Sequence, residues 1–279
     1  MTDVVVITGV GAMGVASARR LGSGCKLVVA DVERAKLDRV AAALVGDGFD
    51  VTPVQVDISQ RLSVEALVAT SESLGPLRTV VHTAGLSPTQ ASPAQVLQVD
   101  LLGTEHILAS FLKLVIDGSV AVCIASMAGY LSALSPAREH ELMMAPTEQL
   151  IELLGPTDEL GFGGTYILAK RVNQLRVQRH AAKWGQQGGR VVSISPGLIS
   201  TPMGRQELDG EAGEMIRAQY ELSALSRFGT PEDIAAAAHW LASAEASFVT
   251  GCDLLVDGGI TAALRGLGVG GVNSGGGVG

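Results

Sequence analysis

The stretch VVVITGVGAMG, from Val4 to Gly14, joins a short apolar run to a glycine-rich turn. The run VVVI is far too short to span a membrane and predicts a first buried strand. The turn has the pattern GxGxxG and opens a predicted helix, whose N-terminus can receive a pyrophosphate. A glycine-rich turn without a ligand is the alternative. The order of strand, turn and helix favours a dinucleotide site made by Gly9, Gly11, Ala12, Met13 and Gly14.

Short β-branched runs alternate with longer helical patterns along the rest of the chain. The predicted strands are Asp3–Thr8, Lys26–Ala30, Val51–Val56, Thr79–His82, Val120–Ile124, Arg190–Ile194 and Asp253–Val256. The first predicted helices are Ala12–Leu21, Ala35–Val45 and Ser63–Ser73. This alternation predicts a doubly wound α/β fold, with a parallel seven-stranded sheet and helices on both faces. Without an internal repeat or a separating linker, one domain is expected over residues 1–264.

The composition suits a buried parallel sheet and excludes some functions. Of 279 residues, 47% are hydrophobic and only 4% aromatic, so Val, Leu, Ile and Ala must fill the core. A net charge of −8 argues against nucleic-acid binding. Four cations on one predicted helix are interpreted as its solvated face: Arg171, Arg176, Arg179 and Lys183. The cysteine spacing does not suit a metal site and indicates a reduced, cytoplasmic protein with Cys25, Cys123 and Cys252 as free thiols.

Asp31 ends the second predicted strand, seventeen positions after Gly14. A carboxylate at this point can accept hydrogen bonds from both hydroxyls of an adenosine ribose, and it would repel a 2′-phosphate. Arg34 could reach such a phosphate, but Asp31 and Glu33 stand beside it. The sequence therefore favours NAD over NADP, with Asp31 and Val32 at the ribose.

The stretch Tyr166-Ile-Leu-Ala-Lys170 places a phenol and an ammonium four positions apart. On a helix the two side chains share one face, about 6 Å apart along the axis. The ammonium favours the phenolate, so it can pull the pKa of the tyrosine from about 10 towards neutrality. Such a phenol can exchange a proton with a carbonyl or alcohol oxygen. A chance pair on an amphipathic helix is the alternative for this motif alone.

These stretches belong to an ordered series of motifs. After the glycine turn the series contains Asp57-Ile58, His82-Thr83-Ala84-Gly85, Ser126, Tyr166 with Lys170, the stretch SPGLIST from Ser195 to Thr201, Arg227–Asp233 and Thr250–Gly259. From about Val4 to Gly259 the chain resembles the short-chain dehydrogenase/reductase family. The resemblance implies a Rossmann fold and an NAD-dependent exchange of hydride with a secondary alcohol or ketone.

The resemblance also implies a role for each matching position. Tyr166 would be the general acid/base, Lys170 would lower its pKa and hold the nicotinamide ribose, and Ser126 would hydrogen-bond the substrate oxygen. Outside the family register, Ser126 would be interpreted as a turn serine. The other positions would bind the nucleotide: Asp57 and Ile58 near adenine, Thr83, Ala84 and Gly85 near the adenosine ribose, and Pro196, Gly197, Ile199 and Thr201 at the nicotinamide carboxamide.

Three departures from the family pattern stand out. The glycine turn is one residue shorter than the usual TGxxxGxG. Asp100 stands where the family usually has an asparagine that supports a water-linked proton relay to the lysine, which makes it a candidate catalytic residue. Tyr166 follows Ser126 by 40 residues, whereas the family usually places the two much closer together.

The third departure reflects an insertion, about residues 130–163, with helix starts at Ser135-Pro136 and Thr147-Glu148. Because it directly precedes Tyr166, it must emerge near the mouth of the site. The insertion and the loop after the sixth strand are rich in Leu and Met, which adapt to irregular apolar ligands. We therefore expect a hydrophobic substrate, steroid- or terpenoid-like, and some hydroxysteroid dehydrogenases of the family carry a helical insertion here. The alternatives are that these residues pack on their own domain or at a subunit interface.

Other readings of the whole chain stay open. One is an acidic substrate that pairs with Arg205 and Arg217, although solvated loop arginines are the favoured interpretation. Another is a nucleotide sensor of the same fold that binds NAD without turnover. A sugar-nucleotide epimerase ranks last, because only about twenty residues follow Gly259. The family resemblance implies a homodimer or homotetramer formed through the helix Val99–Val115 and the Tyr166 helix. Residues 265–279, mostly Gly, Val and Ser, predict a flexible tail.

Overall fold

The computed structural model describes residues 2–89, 91–157, 160–161, 163–210 and 212–269. These residues form a seven-stranded parallel sheet in the order β3-β2-β1-β4-β5-β6-β7. The strands are β1 Val4–Thr8, β2 Lys26–Asp31, β3 Asp50–Gln55, β4 Leu77–His82, β5 Val120–Ile124, β6 Arg190–Pro196 and β7 Asp253–Val256. The predicted doubly wound α/β fold is confirmed, and each predicted strand is present within two residues of its predicted bounds.

Helices surround the sheet. They are α1 Ala12–Leu21, α2 Arg34–Gly46, α3 Arg61–Leu74, α4 Pro93–Val96, α5 Gly103–Phe111, α6 Pro136–Met144, α7 Leu150–Leu154, α8 Gly164–Gly185, α9 Pro202–Asp209, α10 Gly213–Glu221, α11 Pro231–Ala242 and α12 Ile260–Gly266. A π-helical turn, Leu97–Leu102, joins α4 to α5. Short 3-10 turns occupy Leu112–Leu114, Met127–Leu131, Thr147–Gln149 and Ala244–Ala246.

Alternate residues of the central strand β1 pack on opposite faces of the sheet, as the two-residue period of a strand requires. Val4 and Val6 lie in one apolar cluster, which also contains Trp184. Val5 and Ile7 lie in the other cluster, on the opposite face. Because both faces are buried, this strand must be apolar throughout, and a slip of one residue would exchange the two sets.

The strand order reverses at β1, which pairs with β2 on one side and β4 on the other. In open α/β sheets the crevice at such a reversal, beyond the carboxyl ends of the strands, is where ligands bind. The glycine turn follows β1, and the loops after β4, β5 and β6 leave from the same edge. The topology therefore brings the predicted site residues to one place.

The region predicted as a regular helix, Val99–Val115, is instead broken into the π-helical turn, α5 and a 3-10 turn. At the π turn the N–H of Gly103 bonds the carbonyl oxygen of Gln98, which is five residues back. The carbonyl oxygen of Asp100 accepts the hydroxyl of Thr104 and the side-chain amide of Asn173. Asp100 lies within this turn and is fully buried, and such turns are frequent at functional sites.

The segment predicted as an insertion, about residues 130–163, is held against α8 by cations that were predicted to face solvent. That prediction is wrong for Arg176, which is 1% exposed and pairs with Glu105 of α5 at 2.6 Å. Arg176 also donates to the carbonyl oxygen of Ala145 at 2.6 Å, just beyond α6. Arg171 pairs with Glu139 of α6 at 2.6 Å. Because the last carbonyl groups of a helix lack partners within it, buried guanidinium groups satisfy them here.

The two short helices predicted in the insertion are present. One is α6, capped by Ser135, and the other is the 3-10 turn at Thr147 that continues into α7. At the other end of the chain, α12 includes Arg265 and Gly266, so the predicted tail begins in a helix. The rest of the predicted tail beyond residue 269 lies outside the described residues. No helix in the described part of the chain is long and apolar enough to cross a membrane.

Candidate active site

The glycine turn packs tightly against the loop that follows β4. Gly9 has a φ of +88°, and a Cβ at this position would lie 2.5 Å from the amide nitrogen of Ala84. A Cβ on Gly14 would lie 1.9 Å from the carbonyl oxygen of Gly9. At Gly11, by contrast, a Cβ would meet nothing within 4 Å. Gly9 and Gly14 are therefore required by the turn itself, whereas Gly11 leaves open space in front of the N-terminus of α1, where a phosphate can approach.

Asp31 is fixed at the end of β2 by the glycine turn. Its Oδ2 accepts the N–H of Val10 at 2.9 Å, and its Oδ1 accepts the N–H of Glu33 at 3.1 Å. Lys36 of α2 places its ammonium 3.0 Å from the same Oδ2. Burial raises the pKa of Asp31, but the two backbone hydrogen bonds and Lys36 outweigh it, so the pKa lies below its usual value. The neighbouring Val32 is 60% exposed and lies beside this carboxylate in sequence.

The loops after β3 and β4 form the next part of the crevice. Asp57 accepts the backbone N–H and the hydroxyl of Ser59 on Oδ1, so its carboxylate shapes its own turn. Ile58 is 5% exposed and packs in the core, which leaves its backbone rather than its side chain for a nucleotide. Thr83 donates its hydroxyl to the carbonyl oxygen of Gly9 at 2.8 Å and so ties the two loops together.

Tyr166, Lys170 and Ser126 meet at the carboxyl edge of the sheet although 40 positions separate Ser126 from Tyr166 in sequence. Ser126 follows β5, and its side chain hydrogen-bonds the phenol of Tyr166. The Lys170 ammonium lies 5.3 Å from the centre of the Tyr166 ring. α8 carries Tyr166 and Lys170 on one face, as their spacing predicts. The constellation that the sequence suggested is thus assembled despite the 40-residue separation.

Asp100 contacts Lys170 directly. The carboxylate is 0% exposed, its Oδ2 lies 3.0 Å from the Lys170 ammonium, and its Oδ1 accepts the N–H of Leu86 at 2.7 Å. Gly85 makes room for this pair, since a Cβ there would lie 3.2 Å from the ammonium. Burial alone would lower the pKa of Lys170, but the charges of Asp100 and Tyr166 raise it above its usual value. Burial raises the pKa of Asp100.

The predicted effect of Lys170, which lowers the pKa of Tyr166, is present, but the predicted net lowering of this pKa is wrong. Burial raises this pKa above its usual value, and although Lys170 and the hydrogen bond from Ser126 oppose the rise, the charges of Asp100 and Glu207 add to it. The sequence motif shows the ammonium, but it does not show the desolvation of the phenol or the carboxylate on the far side of the ammonium.

The last predicted nucleotide contacts lie after β6. Pro196 ends that strand, and Gly197 packs so closely on Asp257 that a Cβ would lie 2.6 Å from its Cα. Ile199 forms an isolated parallel bridge with Gly229. The Thr201 hydroxyl accepts the N–H of Gly204 and caps α9, so its side chain has a structural task besides the predicted one.

Sequence reasoning missed Glu207 and Lys36. Glu207 lies on α9, hydrogen-bonds the side chain of Ser87, and its charge acts on Tyr166. Ser87 follows the β4 loop and is 2% exposed. The contact joins segments 120 residues apart and has no signature in the sequence. A lysine five positions after Asp31 was visible, but its direction on α2 was not.

The apolar residues of the insertion divide between packing and the site. Leu142 and Leu150 are fully buried in a cluster with Ala169 and Val172 of α8, which favours the alternative that they stabilise the insertion itself. Partly buried residues around that cluster include Tyr166, together with Leu134, Ile151, Leu153 and Leu154. The cluster therefore also provides an apolar wall beside the phenol. Among the described residues, no group of three or more His, Cys, Asp or Glu side chains is placed to hold a metal ion.

A parallel sheet with a glycine turn, a buried lysine and a tyrosine at its carboxyl edge defines an oxidoreductase of the Rossmann type, and comparison with known proteins agrees. A family model described as "short chain dehydrogenase" matches residues 3–135, and one described as "Enoyl-(Acyl carrier protein) reductase" matches residues 160–261. The chain belongs to the short-chain dehydrogenase/reductase family, whose members bind nicotinamide cofactors, either NAD or NADP.

Individual relatives extend over almost the whole chain. The short-chain dehydrogenase/reductase bsc3 of Alternaria brassicicola is 37% identical over 94% of this chain and 97% of the relative. The 7alpha-hydroxysteroid dehydrogenase of Bacteroides fragilis is 27% identical over 92% and 94% of the two chains. Among solved structures, a glucose/ribitol dehydrogenase family member from Brucella melitensis has a TM-score of 0.73 at 26% identity, covering 93% of this chain and 96% of that one.

Proposed function

We propose that the protein is an NAD-dependent dehydrogenase that transfers hydride between nicotinamide and a secondary alcohol or ketone, with Tyr166 as general acid/base. The observation that carries this proposal is the grouping of Ser126, Tyr166 and Lys170 at the same sheet edge as the glycine turn. The open space in front of Gly11 and the fixed carboxylate of Asp31 fit a dinucleotide.

Bound NAD supplies the hydride acceptor, or NADH the donor, and the protein supplies the proton. In ketone reduction the Tyr166 hydroxyl donates its proton to the carbonyl oxygen, while a hydrogen bond from Ser126 stabilises the charge that grows there. The Lys170 ammonium stabilises the phenolate that remains. Asp100 holds that ammonium in place, so it is a positioning residue. Alcohol oxidation uses the same groups in reverse and needs Tyr166 as phenolate.

The proposed nucleotide contacts lie along the crevice at the carboxyl edge of the sheet. They are Gly9, Gly11, Ala12, Met13 and Gly14 at the pyrophosphate, Asp31 and Val32 at the adenosine ribose, Asp57, the Ile58 backbone, Thr83, Ala84 and Gly85 along the adenosine, and Pro196, Gly197, Ile199 and Thr201 at the carboxamide. Lys170 and Tyr166 would also reach the nicotinamide ribose. The preference for NAD is supported by the Asp31 carboxylate, which the N–H groups of Val10 and Glu33 hold at the end of β2, where it would repel a 2′-phosphate.

We propose a hydrophobic substrate, steroid- or terpenoid-like. The partly buried apolar wall next to Tyr166 supports this choice. So do Met203, which is 36% exposed on α9, and Met215, which is 53% exposed on α10. The name of the Bacteroides fragilis relative includes a hydroxysteroid. No observation favours the sensor that binds NAD without turnover, because the tyrosine, the lysine and the serine are all in place.

Assembly and location complete the proposal. A homodimer or homotetramer is expected from the family, but the outward side of α8 is occupied by the insertion through Arg171 and Arg176. A subunit contact on this side would therefore use α5 and the 3-10 turn after it, where Ala109 and Lys113 are exposed beside a groove. A cytoplasmic location rests on the three free cysteines.

The proposed function is tested with a panel of secondary alcohols and ketones in the presence of NAD, NADP or their reduced forms. The panel contains steroids and terpenoids on one side and sugar alcohols of similar hydroxyl number on the other. Turnover with NAD and kcat/KM values that rise with apolar surface support the proposal. Activity confined to sugar alcohols would contradict the hydrophobic substrate, and no turnover despite NAD binding would revive the sensor.

A further inference from the structure

The carboxylate that would bind the adenosine ribose already has most of its hydrogen-bonding capacity in use. An ionised carboxylate offers about four lone-pair sites. On Asp31, Oδ2 receives the N–H of Val10 at 2.9 Å and the ammonium of Lys36 at 3.0 Å, and Oδ1 receives the N–H of Glu33 at 3.1 Å. One site on Oδ1 is therefore left for the two ribose hydroxyls.

Only one of the three donors to Asp31 can leave without disturbing the backbone. Val10 and Glu33 donate from the main chain, in the glycine turn and at the start of α2. Lys36 donates from the end of a flexible stem, and its side chain is 34% exposed. When both ribose hydroxyls bind Asp31, the Lys36 ammonium must swing aside, and it then lies at the edge of the ribose.

A free ammonium at that edge changes how the site treats a 2′-phosphate. Asp31 repels the phosphate, but Lys36 can form a charge-assisted hydrogen bond with it. Arg34 is less suited to this task, because it is bound to Asp38 at 2.9 Å on the outer side of α2. The Glu33 side chain adds negative charge nearby.

We propose that Lys36 is a specificity-determining residue that narrows the preference for NAD over NADP. This inference rests on the proposed function, since it concerns the adenosine end of the same nucleotide site. In NAD the ribose hydroxyls take the place of Lys36 on Asp31. In NADP the released ammonium binds the 2′-phosphate and offsets the repulsion by Asp31.

The test measures binding to the purified full chain by titration calorimetry, with two fragments that differ only at the 2′-position. The fragments are 5′-AMP and 2′,5′-ADP, and the variants are Lys36→Met, Lys36→Arg and Arg34→Met as a control with the same change in net charge. Lys36→Met is expected to weaken 2′,5′-ADP about tenfold and to change 5′-AMP less than threefold. Lys36→Arg is expected to keep the wild-type ratio, and Arg34→Met to shift both affinities by less than threefold.

The possible results separate the role of Lys36 from the existence of the nucleotide site. An unchanged affinity ratio in Lys36→Met, or the same loss in Arg34→Met, would overturn the role of Lys36. An equal loss of both fragments in Lys36→Met would indicate a purely structural lysine and would also overturn it. If the wild-type chain binds neither fragment nor NAD, the proposed nucleotide site is wrong and the proposed function fails with it. The ratio of KM for NADP to KM for NAD is expected to rise in Lys36→Met, in parallel with the fragment ratio.

Discussion

Replacing Asp100 with asparagine removes the charge of a fully buried carboxylate and keeps the shape of its side chain. The amide oxygen can still accept the N–H of Leu86, which Asp100 Oδ1 accepts at 2.7 Å. What is lost is the ion pair with Lys170 at 3.0 Å. With an effective dielectric constant of about 20, the attraction between unit charges at that distance is roughly 5 kcal/mol.

The expected loss of stability is smaller than this attraction. Removing one partner of a buried ion pair typically costs about 3–5 kcal/mol. Because burial raises the pKa of Asp100, the substitution also relieves the desolvation of a carboxylate, so we expect the lower end, about 3 kcal/mol. For a chain of this size that corresponds to a Tm about 6–12 °C lower, measured by thermal unfolding.

The same substitution is expected to move the pH dependence of alcohol oxidation. This direction needs the Tyr166 phenolate, so its rate rises with pH up to the pKa of Tyr166. The charge of Asp100 raises that pKa and the charge of Lys170 lowers it. In Asp100→Asn the carboxylate charge no longer counters the effect of the ammonium on Tyr166, and the rising limb of kcat/KM against pH should lie at lower pH than in the wild type.

Glu105→Gln is the matched control, because Glu105 is also a buried carboxylate, 1% exposed, and pairs with Arg176 at 2.6 Å away from the phenol. Glu105→Gln should lower the Tm by a similar amount, but it should not shift the rising limb of kcat/KM against pH. A limb that stays in place in Asp100→Asn, or that moves to higher pH, would refute the electrostatic role of Asp100 even if the Tm falls as expected.

Three further predictions test the turn, the buried ion pair and α9. Gly14→Ala should destabilise the protein by about 1–3 kcal/mol in denaturant unfolding, because its Cβ would lie 1.9 Å from the Gly9 carbonyl oxygen. Gly11→Ala is the control and should change stability by less than about 0.5 kcal/mol, because its Cβ would meet nothing within 4 Å. Equal effects of the two substitutions would contradict the packing of the turn. Burial raises the pKa of Glu105, but Arg176 and His180 together outweigh it and lower the pKa from 4.5 to about 2. Glu105 therefore stabilises the protein above pH 4.5 by about 3 kcal/mol, and this stability is lost as the pH falls from 4.5 to 2. Glu105→Gln should flatten the stability profile over that range in urea unfolding, and an unchanged slope would count against the pair. Glu207→Gln should move the oxidation limb to lower pH by less than Asp100→Asn, because the Glu207 charge contributes less to the Tyr166 pKa; a larger shift would contradict the order of these charges.

The fold was open to prediction because its signals are local. The apolar run VVVI, followed directly by a GxGxxG turn, predicted the first strand and the first helix. Each later strand lies within two residues of its expected position. The break at the π turn was not predictable from the apolar pattern of Val99–Val115. At this turn the carbonyl oxygen of Asp100 accepts the side-chain amide of Asn173, which is 73 positions away.

The sequence predicted which residues form the site. It predicted their burial and their electrostatic interactions less well. Ser126, Tyr166 and Lys170 meet as their motifs suggested. Arg176 was assigned to a solvated face because its residue type favours solvent, but its partner Glu105 lies 71 positions away on another helix. The direction of the Tyr166 pKa was mistaken for the same reason, since desolvation and the charges of distant residues are properties of the folded chain.

In the proposed mechanism the Tyr166 hydroxyl exchanges the proton while the nucleotide is bound beside it. The most direct measurement compares wild type and Tyr166→Phe in one experiment, with NAD affinity by calorimetry and the rate of hydride transfer in a single turnover with the best alcohol of the panel. We predict that the affinity for NAD stays within threefold and that the rate falls about 10²–10⁴-fold. A Tyr166→Phe protein that binds NAD and transfers hydride at the wild-type rate would contradict the account.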